Sequence, residues 1–409
     1  MTPTPDHRLR AWAWRDSVRE APAGTASPGR SLEGYSVGIK DVIDVAGMPT
    51  RSGSPLTSRA PARADAPVVE RVRAAGAAIV GKTQCTEWAL NDPAPTRNPW
   101  RRDRTPGGSS AGSGVAVATG MCTATLDTQT AGDVIRPAAY TGVVGFKPTM
   151  GWAPLAGVQL VAPSVDTIGV MACEVDEVTA VAAAVADDAG RFQLPEADAA
   201  PTMGLLRDPY YADVVPGVED NLAELVRSWK EEAATVHELS SPLDLAPVHA
   251  AHRVIVFAEC AALHRDRYRR EPAGYGTRAR ELVELGLATP AHAYLHAQGV
   301  RRRATEGLAA LFRDVDVVVT PAIPGPAPSA ETTGDSSFQI PWTLCGFPTL
   351  ALPCGDVSGL PIAIQLVGRR GQEGTLLSAA RWCSRVQNSA LRGVLGNGMT
   401  SRTFPRPVA

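Results

Sequence analysis

A glycine- and serine-rich segment is the part of the sequence best suited to carry chemistry. Residues 106–114 read Pro-Gly-Gly-Ser-Ser-Ala-Gly-Ser-Gly, so a flexible backbone presents several hydroxyl groups just before a helical pattern. A phosphate-binding loop would need a lysine directly after the glycines, and none follows. A nucleophile elbow of the form Gly-x-Ser-x-Gly should follow an apolar strand, but Arg104-Thr105-Pro106 stands there. Taken alone, the segment also fits a flexible glycine loop.

Further short motifs precede and follow this segment in a fixed order. They are Ile39-Lys40-Asp41, Gly81-Lys82-Thr83, Thr86-Glu87, Gly107-Gly108-Ser109-Ser110, Thr128-Gln129-Thr130-Ala131-Gly132, Ile135-Arg136-Pro137-Ala138, Gly142 to Thr149, Thr320-Pro321, Pro341-Trp342-Thr343, Gly359-Leu360-Pro361 and Gln365 to Gly368. By their number and order they resemble the amidase signature family. Members of that family cleave amides with a lysine, a serine in a cis peptide arrangement and a nucleophilic serine.

The resemblance implies a role for each matching position. It places the catalytic lysine at Lys40 and the cis serine at Ser109, and it puts Asp133 where relatives hold the nucleophilic serine. A small-residue turn lets successive backbone N–H groups converge on a developing oxyanion. The predicted oxyanion-hole and substrate-binding residues are Thr130, Ala131, Gly132, Ser110 and Gln129, with the N–H of residue 133 joining the hole. No metal or organic cofactor is implied.

Asp133 changes the chemistry expected of this group. A carboxylate attacks an amide far more poorly than an activated serine does, and loss of the nucleophile in a comparable hydroxyl-based triad costs about six decades of rate. A lysine acts as a base only when it is uncharged. Close to Lys40 and Ser109, an aspartate is expected to favour an ammonium–carboxylate pair instead. Ordinary turnover through residue 133 is therefore not expected.

Three functional hypotheses follow. The first is an amidase-like hydrolase of non-peptide C–N bonds, acting on the carbonyl of an amide or related small molecule by hydrolysis or acyl transfer. In it, Ser109 or Ser110 attacks, or Asp133 acts as base on a water. The second is a non-hydrolytic acid–base enzyme that performs cyclisation, elimination or isomerisation at the same site. The third is a catalytically inactive homologue or an engineered serine-to-aspartate variant, in which Asp133 could simply cap a helix.

Apolar β-branched runs alternate with helical patterns along much of the chain. Strands are predicted at 35–39, 77–80, 123–126, 143–146, 315–319, 349–352 and 362–367, and helices near 9–19 and at 67–75, 111–119 and 374–386. This alternation favours an α/β fold around a mixed sheet. With the resemblance, it predicts the amidase-signature fold, a large mixed twisted β-sheet covered by α-helices on both faces.

The pattern turns helical between residues 175 and 313, most clearly at Val218, Leu222 and Leu225. Since strands of the same type flank this block, one sheet fed by both ends of the chain is the simplest arrangement. We expect a single amidase-signature domain over residues 1–409. Its regions are an N-terminal extension (1–30), a catalytic signature region (31–174), a helical cover (175–313), a return to the core sheet (314–390) and a tail (391–409).

Composition excludes several function classes. The 40 Lys and Arg residues nearly balance 42 Asp and Glu residues, which leaves no electrostatic footprint for nucleic acid. No apolar stretch approaches the roughly 20 residues of a membrane span, and no signal-peptide pattern is seen. The seven scattered cysteines indicate neither a disulfide framework nor a zinc site. We expect a cytoplasmic monomer or homodimer that takes a small-molecule substrate and binds neither nucleic acid nor membrane.

Overall fold

The computed structural model describes residues 8–15, 31–194 and 199–395 of the chain. Within them, eleven strands form one mixed sheet. The strands are β1 (Trp12–Arg15), β2 (Ser36–Lys40), β3 (Ala78–Thr83), β4 (Ala124–Gln129), β5 (Val144–Lys147), β6 (Thr167–Ala172), β7 (Thr202–Leu206), β8 (Thr235–Leu239), β9 (Val317–Pro321), β10 (Thr349–Val357) and β11 (Leu360–Gly368). Their order across the sheet is β1-β3-β2-β4-β6-β5-β10-β11-β9-β7-β8. Strands from both ends of the chain thus share one sheet.

Longer helices connect and cover these strands. They are α1 (Pro67–Ala74), α2 (Ala111–Ala118), α3 (Ile135–Thr141), α4 (Val175–Val185), α5 (Pro216–Glu231), α6 (Ala246–Arg270), α7 (Thr277–Leu287), α8 (Ala291–Ala309), α9 (Ile340–Leu344) and α10 (Glu373–Leu395). Their buried side chains belong to two hydrophobic clusters. Since neighbouring strand residues such as Val170 and Met171 belong to different clusters, the clusters lie on opposite faces of the sheet.

Two parallel strands bring the site together. Strand β4 pairs in parallel with β2, with Ile39 opposite Leu126. The carboxyl ends of the two strands therefore lie side by side. Lys40 is the last residue of β2, and the chain leaving β4 enters a short turn before α3. Helix α2, which begins directly after Ser110, packs on the same face of the sheet as α3.

Most predicted elements are confirmed with small shifts of their ends. The predicted helix 67–75 is Pro67–Ala74 and the predicted strand 143–146 is Val144–Lys147. The helix predicted at 374–386 runs longer, from Glu373 to Leu395, so it enters the predicted tail. Residues 396–409 lie outside the described residues. The α/β fold with a large mixed sheet is confirmed.

The N-terminal helix predicted near residues 9–19 is wrong over residues 12–15. Residues Trp12–Arg15 form strand β1, which pairs antiparallel with β3, with Trp12 opposite Thr83. Trp12 is buried against the α2 side of the sheet. Pairing with the exposed edge of β3 satisfies the backbone of this segment better than an isolated helical turn would. The predicted extension therefore contributes a strand to the sheet.

The block 175–313 is not helical throughout, contrary to prediction. Strands β7 and β8 lie within it and extend the sheet in parallel next to β9. Each has only five residues, and β8 is a largely exposed edge strand. Short strands between long amphipathic helices leave a weak signal, because the helical spacing dominates any longer sequence window.

The helices in the described ranges lack the length and apolar character needed to cross a membrane. The same ranges contain no group of three or more His, Cys, Asp or Glu side chains arranged to hold a metal ion.

Candidate active site

Lys40 lies fully buried at the end of β2. Its Nζ donates to Ser109 Oγ at 2.7 Å, to the Thr128 carbonyl oxygen at 3.1 Å and to Thr128 Oγ1 at 3.0 Å. A lysine ammonium has three N–H donors and no acceptor, so three oxygen partners match it. The side chain is held in one orientation, with one proton directed at Ser109.

Ser109 follows a cis peptide bond with Gly108 and is buried just before α2. The Gly108 carbonyl accepts from Arg136, at 2.7 Å from Nη2 and 3.2 Å from Nε. The third guanidinium nitrogen, Nη1, donates to the Gly334 carbonyl at 2.7 Å. Gly107 has φ +88°, and a Cβ there would lie 2.6 Å from the Pro137 Cα, so only glycine fits. Arg136 thus ties the serine segment to a distant loop.

The carboxylate of Asp133 turns back onto backbone N–H groups. Its Oδ2 accepts from the Thr130 nitrogen at 2.9 Å and the Ala131 nitrogen at 2.8 Å, while Oδ1 accepts from the Ser109 nitrogen at 3.1 Å. Burial alone would raise the pKa of this carboxyl. The positive charges of Lys40 and Arg136, together with the N–H donors, hold the pKa below its ordinary value.

The direct Lys40–Asp133 ion pair expected from the sequence is not formed. The ion pairs of the described residues, counted to 4.0 Å, do not include it. Backbone N–H groups satisfy the carboxylate, and Lys40 uses its protons on Ser109 and Thr128. Lys40 therefore acts on Asp133 through its charge, without contact.

Gln129 supports the loop from inside the fold. Its Oε1 accepts from the nitrogens of Val134 at 2.8 Å and Ile135 at 3.1 Å, at the start of α3. Its Nε2 donates to Thr343 Oγ1 at 2.9 Å, and that hydroxyl donates to the Ala131 carbonyl at 2.6 Å. The amide of Gln129 is thus occupied within the protein, which makes it a positioning residue for the loop.

Thr130 is held from two sides by residues that sequence reasoning did not single out. Its hydroxyl donates to Asp166 Oδ1 at 2.5 Å, and its carbonyl lies 2.9 Å from His252 Nε2. Burial raises the pKa of Asp166 to about 7 and lowers that of His252 to about 4. The His252 ring is therefore neutral at pH 7 and carries its proton on Nε2 to donate to the carbonyl.

A second buried carboxylate lies behind Lys40. Asp127 accepts from Ser113 Oγ at 2.6 Å and from Thr125 Oγ1 at 2.6 Å. Burial raises its pKa, and the charge of Lys40 and nearby hydroxyls, including that of Ser110, oppose the rise. Ser110, predicted to bind substrate, is fully buried at the start of α2 on the Asp127 side.

The structure brings the predicted residues into one centre. Hydrogen bonds link Lys40 to Ser109, and Ser109, Thr130 and Ala131 to Asp133. Gly132 lies in the same turn, where a Cβ would overlap Gln339. Asp166 and His252 come from far along the chain, so spacing gave no signal for them.

Most of the chain is similar to known proteins. A model of the Amidase family matches residues 8–377. The chain belongs to the amidase family. It is 31% identical over 431 aligned positions to a subunit of the glutamyl-tRNA(Gln) amidotransferase of Symbiobacterium thermophilum, covering 93% of this chain and 88% of that protein.

Solved structures agree with this family membership. The native peptide amidase of Stenotrophomonas maltophilia is 28% identical with a TM-score of 0.74, covering 87% of this chain and 83% of that one. The corresponding glutamyl-tRNA(Gln) amidotransferase subunit of Thermotoga maritima is 26% identical with a TM-score of 0.79, covering 98% of this chain and 91% of that one. This amidase-family chain therefore has the fold that was expected.

Proposed function

We propose that this amidase-family protein acts on the carbonyl of a small, non-peptide amide and cleaves its C–N bond. The reacting groups are Lys40, Ser109 and Asp133. The supporting observation is that the N–H groups of Thr130 and Ala131 converge on one negatively charged oxygen, Asp133 Oδ2, at 2.9 and 2.8 Å. Donors at 2.7 to 3.1 Å from an anionic oxygen are the geometry that stabilises a tetrahedral intermediate. Asp133 Oδ2 stands in for that oxyanion.

A substrate oxygen can occupy this place only when the Asp133 carboxylate leaves it. On leaving, the carboxylate loses the hydrogen bonds that contribute to its low pKa. Its basicity therefore rises as the substrate binds. A carboxylate displaced by the carbonyl oxygen lies next to the carbonyl carbon, where it can take a proton from an attacking water.

Each proton in this scheme has a defined destination. The water oxygen bonds to the carbonyl carbon, its proton passes to Asp133, and the oxyanion rests on the backbone N–H groups. When the C–N bond breaks, Ser109 Oγ protonates the departing nitrogen and recovers its proton from Lys40 at 2.7 Å. Asp133 then returns its proton to Lys40 by way of Ser109 or solvent. The products are a carboxylic acid and an amine or ammonia.

The names of relatives fit chemistry at a C–N bond. A peptide amidase and part of an amidotransferase are among the similar proteins. For this chain we propose the hydrolytic route on a small-molecule substrate, in the cytoplasm, as a monomer or homodimer. Acyl transfer is the related outcome if an amine replaces water.

A second candidate is a binding protein without turnover. It is favoured by the same carboxylate, because Asp133 already satisfies the donors that a substrate carbonyl would use. In that case the site recognises an amide or carboxylate without cleaving it.

An assay of ammonia release from simple alkyl and aryl amides, with hydroxylamine added, separates these candidates. The parent should release ammonia slowly and accumulate no acyl-enzyme, since water, or hydroxylamine in its place, attacks the amide directly. Asp133→Ser should form hydroxamate through an acyl-enzyme. Asp133→Asn, which has no base, should lose about a hundredfold or more of the parent rate.

Two results would decide against the hydrolytic proposal. A parent inactive on every amide, beside an active Asp133→Ser variant, would leave the binding protein as the function. An acyl group found on Ser109 by mass spectrometry would show that a hydroxyl attacks instead of water.

A further inference from the structure

A cavity of about 760 Å³ opens beside the loop that carries Thr130. Asp166, which accepts the Thr130 hydroxyl at 2.5 Å, forms part of its wall. The nitrogen of the same Thr130 donates to the Asp133 carboxylate, so Thr130 links the cavity wall to Asp133. The other polar lining residues include Ser164, Arg301, Arg302, Glu306 and Arg370. Three guanidinium groups thus line one cavity, and its Asp166 wall is hydrogen-bonded to Thr130.

Arg301 is fixed in position at this cavity. Its Nη2 donates to the Ser164 carbonyl at 2.6 Å and its Nη1 to Ser164 Oγ at 3.2 Å. Ser164 in turn donates to Glu259, from its nitrogen at 2.9 Å and its hydroxyl at 2.5 Å. Tyr294 also donates to Glu259 at 2.9 Å. The Glu259 carboxylate is therefore occupied by neutral donors and does not form an ion pair with Arg301.

Two of the three arginines at the cavity have no ion-pair partner in the described part of the chain. Arg302 and Arg370 are exposed at the opening, and in the described part of the chain neither makes an ion pair within 4.0 Å. Burial lowers the pKa of Arg301; the charge of Glu259 opposes this effect and the charge of Arg370 adds to it. Guanidinium groups that repel one another in this way gain by sharing an anion.

The two acids in the lining do not neutralise this charge. Glu306 is exposed, as Arg302 and Arg370 are, and within the described residues it forms no ion pair with either of them. Asp166 is committed to Thr130 and to the nitrogens of Val161 at 2.8 Å and Ala162 at 3.0 Å. Burial raises the pKa of Asp166 to about 7, so it is only partly ionised near neutral pH.

We propose that the cavity lined by Arg301, Arg302 and Arg370 binds a carboxylate carried by the substrate. The substrate would then be a small amide with a carboxylate a few bonds from the amide. A planar carboxylate matches the paired N–H groups of a guanidinium. The link between this carboxylate and an amide rests on the proposed function, whereas binding of the carboxylate does not require turnover.

A binding measurement, and not an activity assay, tests the proposal. Calorimetry compares the half-amides of succinic and glutaric acid with the corresponding neutral diamides. The parent should bind a half-amide at least about tenfold more tightly than its diamide, since charge-assisted hydrogen bonds contribute this much. Arg302→Gln/Arg370→Gln should abolish the preference. Arg303→Gln is the matched control, because Arg303 is also exposed on α8 but does not line the cavity.

The outcomes are distinct from those of the amidase assay. A preference for the half-amide that the double variant loses supports the proposal, even where no ammonia is released. Equal binding of half-amide and diamide by the parent overturns it, whether or not the parent hydrolyses amides. Inorganic phosphate binding as tightly as the half-amide would also overturn it, since the cavity would then take any free anion.

Discussion

The backbone nitrogen of Ala131 donates to the Oδ2 of Asp133, two residues later, at 2.8 Å. The Thr130 nitrogen donates to the same oxygen. Thr130 and Asp133 are buried and Ala131 is half-buried, so the carboxylate replaces water as the acceptor of these N–H groups. The aspartate and the loop therefore stabilise each other, and a substrate must compete with an internal ligand.

Asp133→Ala should destabilise the protein in a way that a small carboxylate repairs. The variant leaves the N–H groups of Ser109, Thr130 and Ala131 without this acceptor, which should lower the free energy of unfolding by about 2 kcal/mol. Added formate can fill the same place. Thermal unfolding should show a higher Tm in sodium formate than in sodium chloride of equal ionic strength.

Asp133→Asn is the control for this rescue, because its side-chain oxygen can still accept a hydrogen bond. Formate should not raise its Tm above the value in chloride. An Asp133→Ala variant that is as stable as the parent, with no response to formate, would contradict the role given to these contacts.

Lys40→Met should abolish amide hydrolysis. The apolar side chain keeps much of the volume but cannot return a proton to Ser109 Oγ, which now lies 2.7 Å from Nζ. General acid–base catalysis of this kind contributes about 10² to 10⁴ in rate, and kcat/KM should fall by that factor. The pKa of Asp133 should rise, because the charge of Lys40 helps to lower it. The ¹³C shift of the carboxyl during a pH titration measures that change.

Lys230→Met is the matched control for charge removal, since Lys230 is exposed on α5. Its kcat/KM should equal that of the parent. Unchanged hydrolysis in Lys40→Met would mean that the active site lies elsewhere.

The sequence predicted seven of the eleven strands in the described residues, because the signals of those strands are local. The apolar run before Lys40 predicts a buried strand that ends at the lysine, and the strand ends there. The short strands β7 and β8 were missed because their stability comes from pairing with partners distant in the sequence: β7 pairs with β9, and β8 pairs with β7.

The side-chain partners of Thr130 were harder to foresee. Asp166 and His252 reach Thr130 from 36 and 122 residues away, so only the folded chain brings them together. The backward turn of Asp133 is local, and short polar side chains often bond to nearby backbone groups. The sequence-based prediction paired Asp133 with Lys40 and did not include these backbone hydrogen bonds.

Asp166→Asn should remove a pH dependence of stability. The pKa of Asp166 is raised from 3.8 to about 7, so the folded state binds this proton more tightly than the unfolded state. Its stabilising contribution is fully present below pH 3.8 and is lost as pH rises through about 7. The slope it adds is at most about 1.4 kcal/mol per pH unit. Asparagine imitates the protonated carboxyl, with an NH₂ that donates to Thr130 Oγ1 and an oxygen for the nitrogens of Val161 and Ala162.

Urea unfolding of parent and variant between pH 4 and 8 tests this prediction. The difference in unfolding free energy should move steadily in favour of the asparagine variant as pH rises. Parallel curves for the two proteins would place the pKa of Asp166 in its ordinary range.

Arg136→Lys should weaken both the fold and the site despite keeping the charge. The guanidinium reaches two carbonyls at once, those of Gly108 and Gly334, and a lysine ammonium cannot span both in the same geometry. At least one buried carbonyl then loses its donor, which costs about 1 to 3 kcal/mol. Because Gly108 precedes Ser109, we also expect kcat to fall while KM changes less. Arg102→Lys, at an exposed position, should leave both quantities unchanged. If Arg136→Lys keeps the unfolding free energy and kcat of the parent, the prediction is wrong. Arg136 would then contribute through its charge and not through its hydrogen bonds to the two carbonyls.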